Sequence, residues 1–110
     1  MWKNTLKDSS FLNVKYIFPL KQKAVYEMIQ TCKKEPNVEK LIIFGSSVTS
    51  ACNPWSDIDA YFEIKEPMNN LPLEKYTNQD WDRWSNFSVD ENLKKEIMKT
   101  GVVVYDRNNC

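Results

Sequence analysis

Hydrophobic positions along the chain change rhythm several times, and each rhythm names an element. Leu20, Ala24, Val25, Met28, Ile29 and Cys32 recur at helical spacing behind Pro19, a residue suited to a first helical turn. This predicts an amphipathic helix over 19–34, its stripe in the core, ended by Pro36-Asn37. Leu41-Ile42-Ile43-Phe44 is continuously apolar and stops at Gly45, the pattern of a strand buried on both faces. Ser46 to Ala51 is small and polar enough to start a helix, which Cys52 to Ser56 breaks. From Asp57 to Ile64 the chain alternates, which predicts a second strand beside the first in a hairpin-like unit.

Asp80 to Trp84 alternates as a third strand, after a loop or short irregular helix over 66–78. A second helix is expected over 89–100, with Ser88 and Glu91 as a capping box and Gly101 as its C-cap. Val102 to Tyr105 reads as a short closing strand. Before the first helix, Val14, Tyr16 and Phe18 fit a short strand or an ordered arm.

Length and composition narrow the function. At 110 residues the chain is expected to be one domain, residues 1–110, with 1–18 as an N-terminal arm. Fifteen basic and fifteen acidic side chains cancel, so no overall field recruits nucleic acid or an anionic membrane. The first residues carry no apolar h-region and no run is long enough to span a bilayer. Cys32, Cys52 and Cys110 fit neither a disulfide framework nor a zinc pattern, so a reducing cytoplasm is expected. The chain has no histidine, which removes the commonest general base and transition-metal ligand. Its chemistry must run on carboxylates, hydroxyls, lysines or hard cations.

Residues 45–59 answer that description. Gly45 and Ser46 stand directly after a strand, where a residue without Cβ admits close approach to the backbone and free N–H groups suit phosphate. Asp57 and Asp59, two apart on a strand, leave from one face. Two carboxylates that close repel unless a cation joins them, and magnesium favours oxygen ligands shared with phosphates.

Ten residues separate Ser46 from Asp57. Gly45-Ser46, that spacer and Asp57-Ile58-Asp59, behind the apolar Leu41–Phe44, resemble the nucleotidyltransferases of the DNA polymerase beta type. With its small size the chain is most similar to the minimal nucleotidyltransferases, several of which are antitoxins paired with HEPN-domain toxins. Ser88 to Tyr105 resembles their terminal helix and strand, so the likeness covers about two thirds of the chain. The resemblance implies an α/β (α+β) fold, a small mixed β-sheet flanked by helices. It implies Gly45, Ser46 and Ser47 as nucleotide-binding residues, and Asp57 and Asp59 as catalytic metal ligands for Mg2+. A third carboxylate on a later strand completes such a site, Asp82 or, as runner-up, Asp80. The implied reaction moves a nucleoside monophosphate, AMP from ATP, onto an acceptor hydroxyl of a partner protein. Relatives often carry basic residues or a second glycine in the spacer, where Ser47, Thr49, Ser50 and Asn53 stand here. Phosphate charge is then left to metal, backbone amides and lysines such as Lys21, Lys23 or Lys40.

Blander readings stand beside these. Gly45 alone is a turn residue, and the aspartates alone are a solvated strand edge. Trp55, Trp81 and Trp84 more simply supply core or interface area than a base-stacking platform. Cys52 has no base near it, and Lys94, Lys95 and Lys99 read as the wet face of the last helix. A toxin-neutralising binding module, or a nucleotide sensor without transfer, uses the same fold.

Overall fold

The computed structural model describes residues 11–49, 55–72 and 79–109. Helix α1 spans Pro19–Lys33, β1 Val38–Phe44, β2 Ile58–Ile64, β3 Trp81–Ser85, α2 Glu91–Thr100 and β4 Val102–Asp106. The strands form one mixed sheet in the order β3-β2-β1-β4. β1 pairs antiparallel with both β2 and β4, while β3 runs parallel to β2 at the margin. This is the small α+β arrangement expected, with the hairpin-like β1–β2 unit at its centre.

Alternation on β2 sorts the interior into two clusters. Ile58, Ala60, Phe62 and Ile64 join Leu41, Ile43 and the buried side of α1, including Val25, Met28, Ile29 and Cys32. Each such buried aliphatic or aromatic side chain contributes about 1.5–3 kcal/mol through water exclusion, so this face anchors the fold. On the opposite face Tyr61 packs with Ile42, Phe44 and Ile97 beneath α2. Burial drives the Cys32 thiol up to about 12, which keeps it an inert, protonated core group.

Several local expectations change. The 14–18 segment is no strand: Asn13 turns left-handed at φ 59°, and Val14–Tyr16 form a 3-10 turn that buries Val14 and Ile17 under α1. Ser88 does not cap α2. Asp90 does, accepting from the Leu93 N–H at 2.7 Å, while Ser88 Oγ accepts from the Ser85 N–H at 2.8 Å and closes the turn after β3. Gly101 is the C-cap, but in extended conformation (φ −72°), so left-handed backbone does not explain it. Crowding does, since a Cβ there would lie 2.5 Å from both Ile42 Cγ2 and the Ile97 carbonyl. The segment after β1 is a 3-10 turn, Gly45–Val48, too short for a helix dipole to add to its amides. Ser50, Cys52, Asn53 and Cys110 lie outside the described residues.

Candidate active site

Three neighbouring strands bring the predicted residues side by side. Phe44, the last residue of β1, is level with Asp59 of β2, and Asp59 is level with Asp82 of β3. Paired residues share a face of a sheet, so Asp59 and Asp82 lie on the α2 side, next to Phe44 and Tyr61. Asp57 is exposed, just ahead of β2. Asp82 is the carboxylate opposite Asp59, and Asp80 is not: its carbonyl accepts the Ile58 N–H at 3.0 Å one step before β3.

Gly45 is where the chain leaves β1, at φ +73°, a conformation that L side chains avoid. It also makes room. A Cβ at Gly45 would fall on Oδ2 of Asp59 and lie 3.1 Å from its Cγ. The Asp59 carboxylate therefore rests against the backbone of the turn at Gly45.

Electrostatics mark the same place. Burial, then the charges of Asp82 and Asp57, then a hydrogen bond with the Asp82 carboxyl raise Asp59 from the ordinary 3.8 to about 6. Like charges are gathered here against their repulsion, and a cation is the natural relief. The donor set, carboxylate oxygens alone, suits a hard divalent ion. Among the described residues no three acidic or thiol side chains converge closely enough to hold a metal as they stand. Asp82 already meets Asp59, and Asp57 is exposed, so rotation of its side chain toward them is open to it.

A cleft of about 350 Å3 opens beside the turn, between Gly45, Ser46 and Thr49 on one wall and Glu96 and Thr100 of α2 on the other. Ser46 lines it. Ser47 does not: it is fully buried, its carbonyl accepts the Phe18 N–H at 2.8 Å, and its Oγ has no partner. The Ser47 hydroxyl is therefore turned away from the cleft, into the core. A larger hollow of about 600 Å3 follows one side of α2, lined by Glu91, Lys94, Lys95, Met98 and Lys99 and by none of the three aspartates.

The sequence model described as Polymerase beta, Nucleotidyltransferase matches residues 26–110. The chain belongs to this family. The matched span runs from the middle of α1 to the C-terminus and contains every acidic residue of the cluster. Among solved structures, this nucleotidyltransferase domain is similar to a candidate nucleotidyltransferase from Sulfolobus solfataricus, at 22% identity and a TM-score of 0.43, over 78% of this chain and 89% of that one. No curated protein matches it.

Other expected residues take other places. Lys21, considered for phosphate, is 1% exposed, and its Nζ donates at 2.6 Å to the Ser56 carbonyl and at 2.6 Å to Gln79 Oε1. Lys40 reaches Asp106 at 4.0 Å, on the β4 side of the sheet. Lys23 is exposed. Trp84 stacks obliquely on Phe44 with centroids 5.6 Å apart and is core, whereas Trp55 is 89% exposed. Sequence reasoning missed Gln79, whose amide donates to the carbonyls of Ser56 at 2.9 Å and Asp80 at 2.7 Å. It also missed the buried role of Lys21. Spacing held a signal for that one, since Lys21, Val25, Met28 and Cys32 fall on a single helical stripe.

Proposed function

We propose that this nucleotidyltransferase-family domain transfers a nucleoside monophosphate from a triphosphate, with ATP as donor, to an acceptor hydroxyl on a partner protein. Asp57 and Asp59, joined by Asp82, hold Mg2+. The Gly45–Ser46 turn receives the β- and γ-phosphates through its amides and the Ser46 hydroxyl. Asp82, at the open margin of the sheet, takes the proton of the attacking hydroxyl. That oxygen bonds to the α-phosphorus as the bond to pyrophosphate breaks. Metal supplies charge neutralisation of the triphosphate and of the departing pyrophosphate. The single observation supporting this reading is the Asp59 carboxylate set against Gly45 on one side and Asp82 on the other.

A second reading is an antitoxin-like module that neutralises a HEPN-type toxin by binding, with weak or absent transfer. It is favoured by the phosphate turn itself, where Ser47 is turned inward and the spacer carries no basic residue, so Ser46 is left as the turn's hydroxyl donor. Incubation with α-labelled ATP, Mg2+ and the protein encoded beside it separates the two. Label on the partner, lost in the Asp57→Asn, Asp59→Asn double variant, supports transfer. No label, with equal neutralisation by parent and variant, leaves the binding module.

A further inference from the structure

Lys21 presents a puzzle that the acidic site does not absorb. A lysine 1% exposed within a helix is costly to bury and is retained only where its charge is well used. Its Nζ reaches two carbonyl-type oxygens, Ser56 O and Gln79 Oε1, both at 2.6 Å. Those acceptors lie in two segments far apart in sequence. Ser56 immediately precedes Asp57, and Gln79 stands three residues before Asp82. Gln79 completes the tie, since its Nε2 donates to Ser56 O at 2.9 Å and to Asp80 O at 2.7 Å. Asp80 O in turn accepts from the Ile58 N–H at 3.0 Å, the first rung between β2 and β3.

We propose that Lys21 is the positioning residue of the metal site, a buried clamp that holds the start of β2 and the approach to β3 together so that Asp57, Asp59 and Asp82 keep their spacing. This rests on the reading of those three carboxylates as cation ligands. Its action is geometric. Lys21 touches no carboxylate of the site in its two short bonds, and each of those bonds ends on the backbone or side chain beside a ligand-bearing segment. Supporting residues one step behind metal ligands typically change metal affinity about 10–100-fold when removed.

The test uses Mn2+ alone as the probe, its binding followed by the loss of free-ion paramagnetic signal, together with thermal melting. Lys21→Met keeps length and apolar bulk and removes the donors. The expected result is Mn2+ affinity weakened about tenfold, with the sheet still folding cooperatively. One variant at the half-buried Gln79 decides the matter independently, including where Lys21→Met does not fold. Gln79→Leu removes an acceptor of Lys21 and both amide donations of the tie, and should also weaken Mn2+ binding about tenfold while the sheet still melts cooperatively. Parent affinity in Lys21→Met or in Gln79→Leu overturns the clamp. Absence of Mn2+ binding by the parent overturns the acidic site itself and with it this inference, which separates the two failures.

Discussion

The two faces of the sheet are built by the same strands to opposite ends. On the α1 face, β2 presents Ile58, Ala60, Phe62 and Ile64, all buried among apolar partners. On the α2 face the alternate residues are Asp59, Tyr61 and Glu63, and only Tyr61 is fully inside. There the Tyr61 hydroxyl donates to Glu63 Oε2 at 2.6 Å, and burial with that bond pushes its pKa up. One face accumulates stability and the other holds carboxylates against their mutual repulsion. Stability and chemistry are thereby divided by residue parity, so substitutions on β2 should separate into two kinds with little overlap.

The sharpest way to break the comparison is Asp59→Asn. Nucleotidyl transfer should fall by at least about a thousandfold, a loss of about 4 kcal/mol of transition-state stabilisation, in a labelled-ATP assay. The same variant should melt no lower than the parent without metal, because the substitution relieves a buried charge among like charges. A variant that loses stability along with activity contradicts the division. On the other face Phe62→Ala should cost about 3–5 kcal/mol in urea denaturation through lost contacts and the cavity left behind. Gly45→Ala lies between the two kinds. A left-handed φ of +73° and a Cβ placed on Asp59 Oδ2 should cost about 1–2 kcal/mol and impair metal binding as well, measured by melting and Mn2+ titration.

The smallest effect sharpens the picture by its sign. Asp59 holds its proton to about 6 in the folded chain and near 3.8 when unfolded. The folded state therefore binds more protons between those values, and stability falls as pH rises through them. Asp59 is only half-buried, so the metal-free loss should be about 1 kcal/mol after screening. It is read as the difference between parent and Asp59→Asn across pH 4 to 7. A difference of opposite slope would mean that Asp59 gains a favourable partner on folding.

Elements with a strong local pattern were legible in the sequence. The stripe of α1, the apolar run into Gly45 and the alternation from Asp57 announced α1, β1 and β2, and the spacing from Ser46 to Asp57 announced their meeting. Asp82 could be ranked ahead of Asp80 but not placed, because register between parallel strands is decided by the whole sheet. The cap of α2 fell to Asp90 instead of Ser88, since Ser88 is occupied in closing the β3 turn. The side chains of Ser47 and Lys21 lie elsewhere than expected for a common reason. A polar residue in a favourable place looks available, and only the fold shows that one is sealed inside and the other is already bonded to two chain segments.

Among the described residues, Asp82 sits on a strand with a neighbour on one side only, whereas Asp59 sits on an interior strand. Marginal strands detach at lower free-energy cost than interior ones, so amide exchange along β3 should outpace that along β2. Opening of that strand would dismantle the acidic cluster and lift Trp81 and Trp84 from the rims of the two cores, while the β1–β2 pairing stayed in place. The site is therefore assembled and lost as a late, local event, on a clock separate from that of global unfolding.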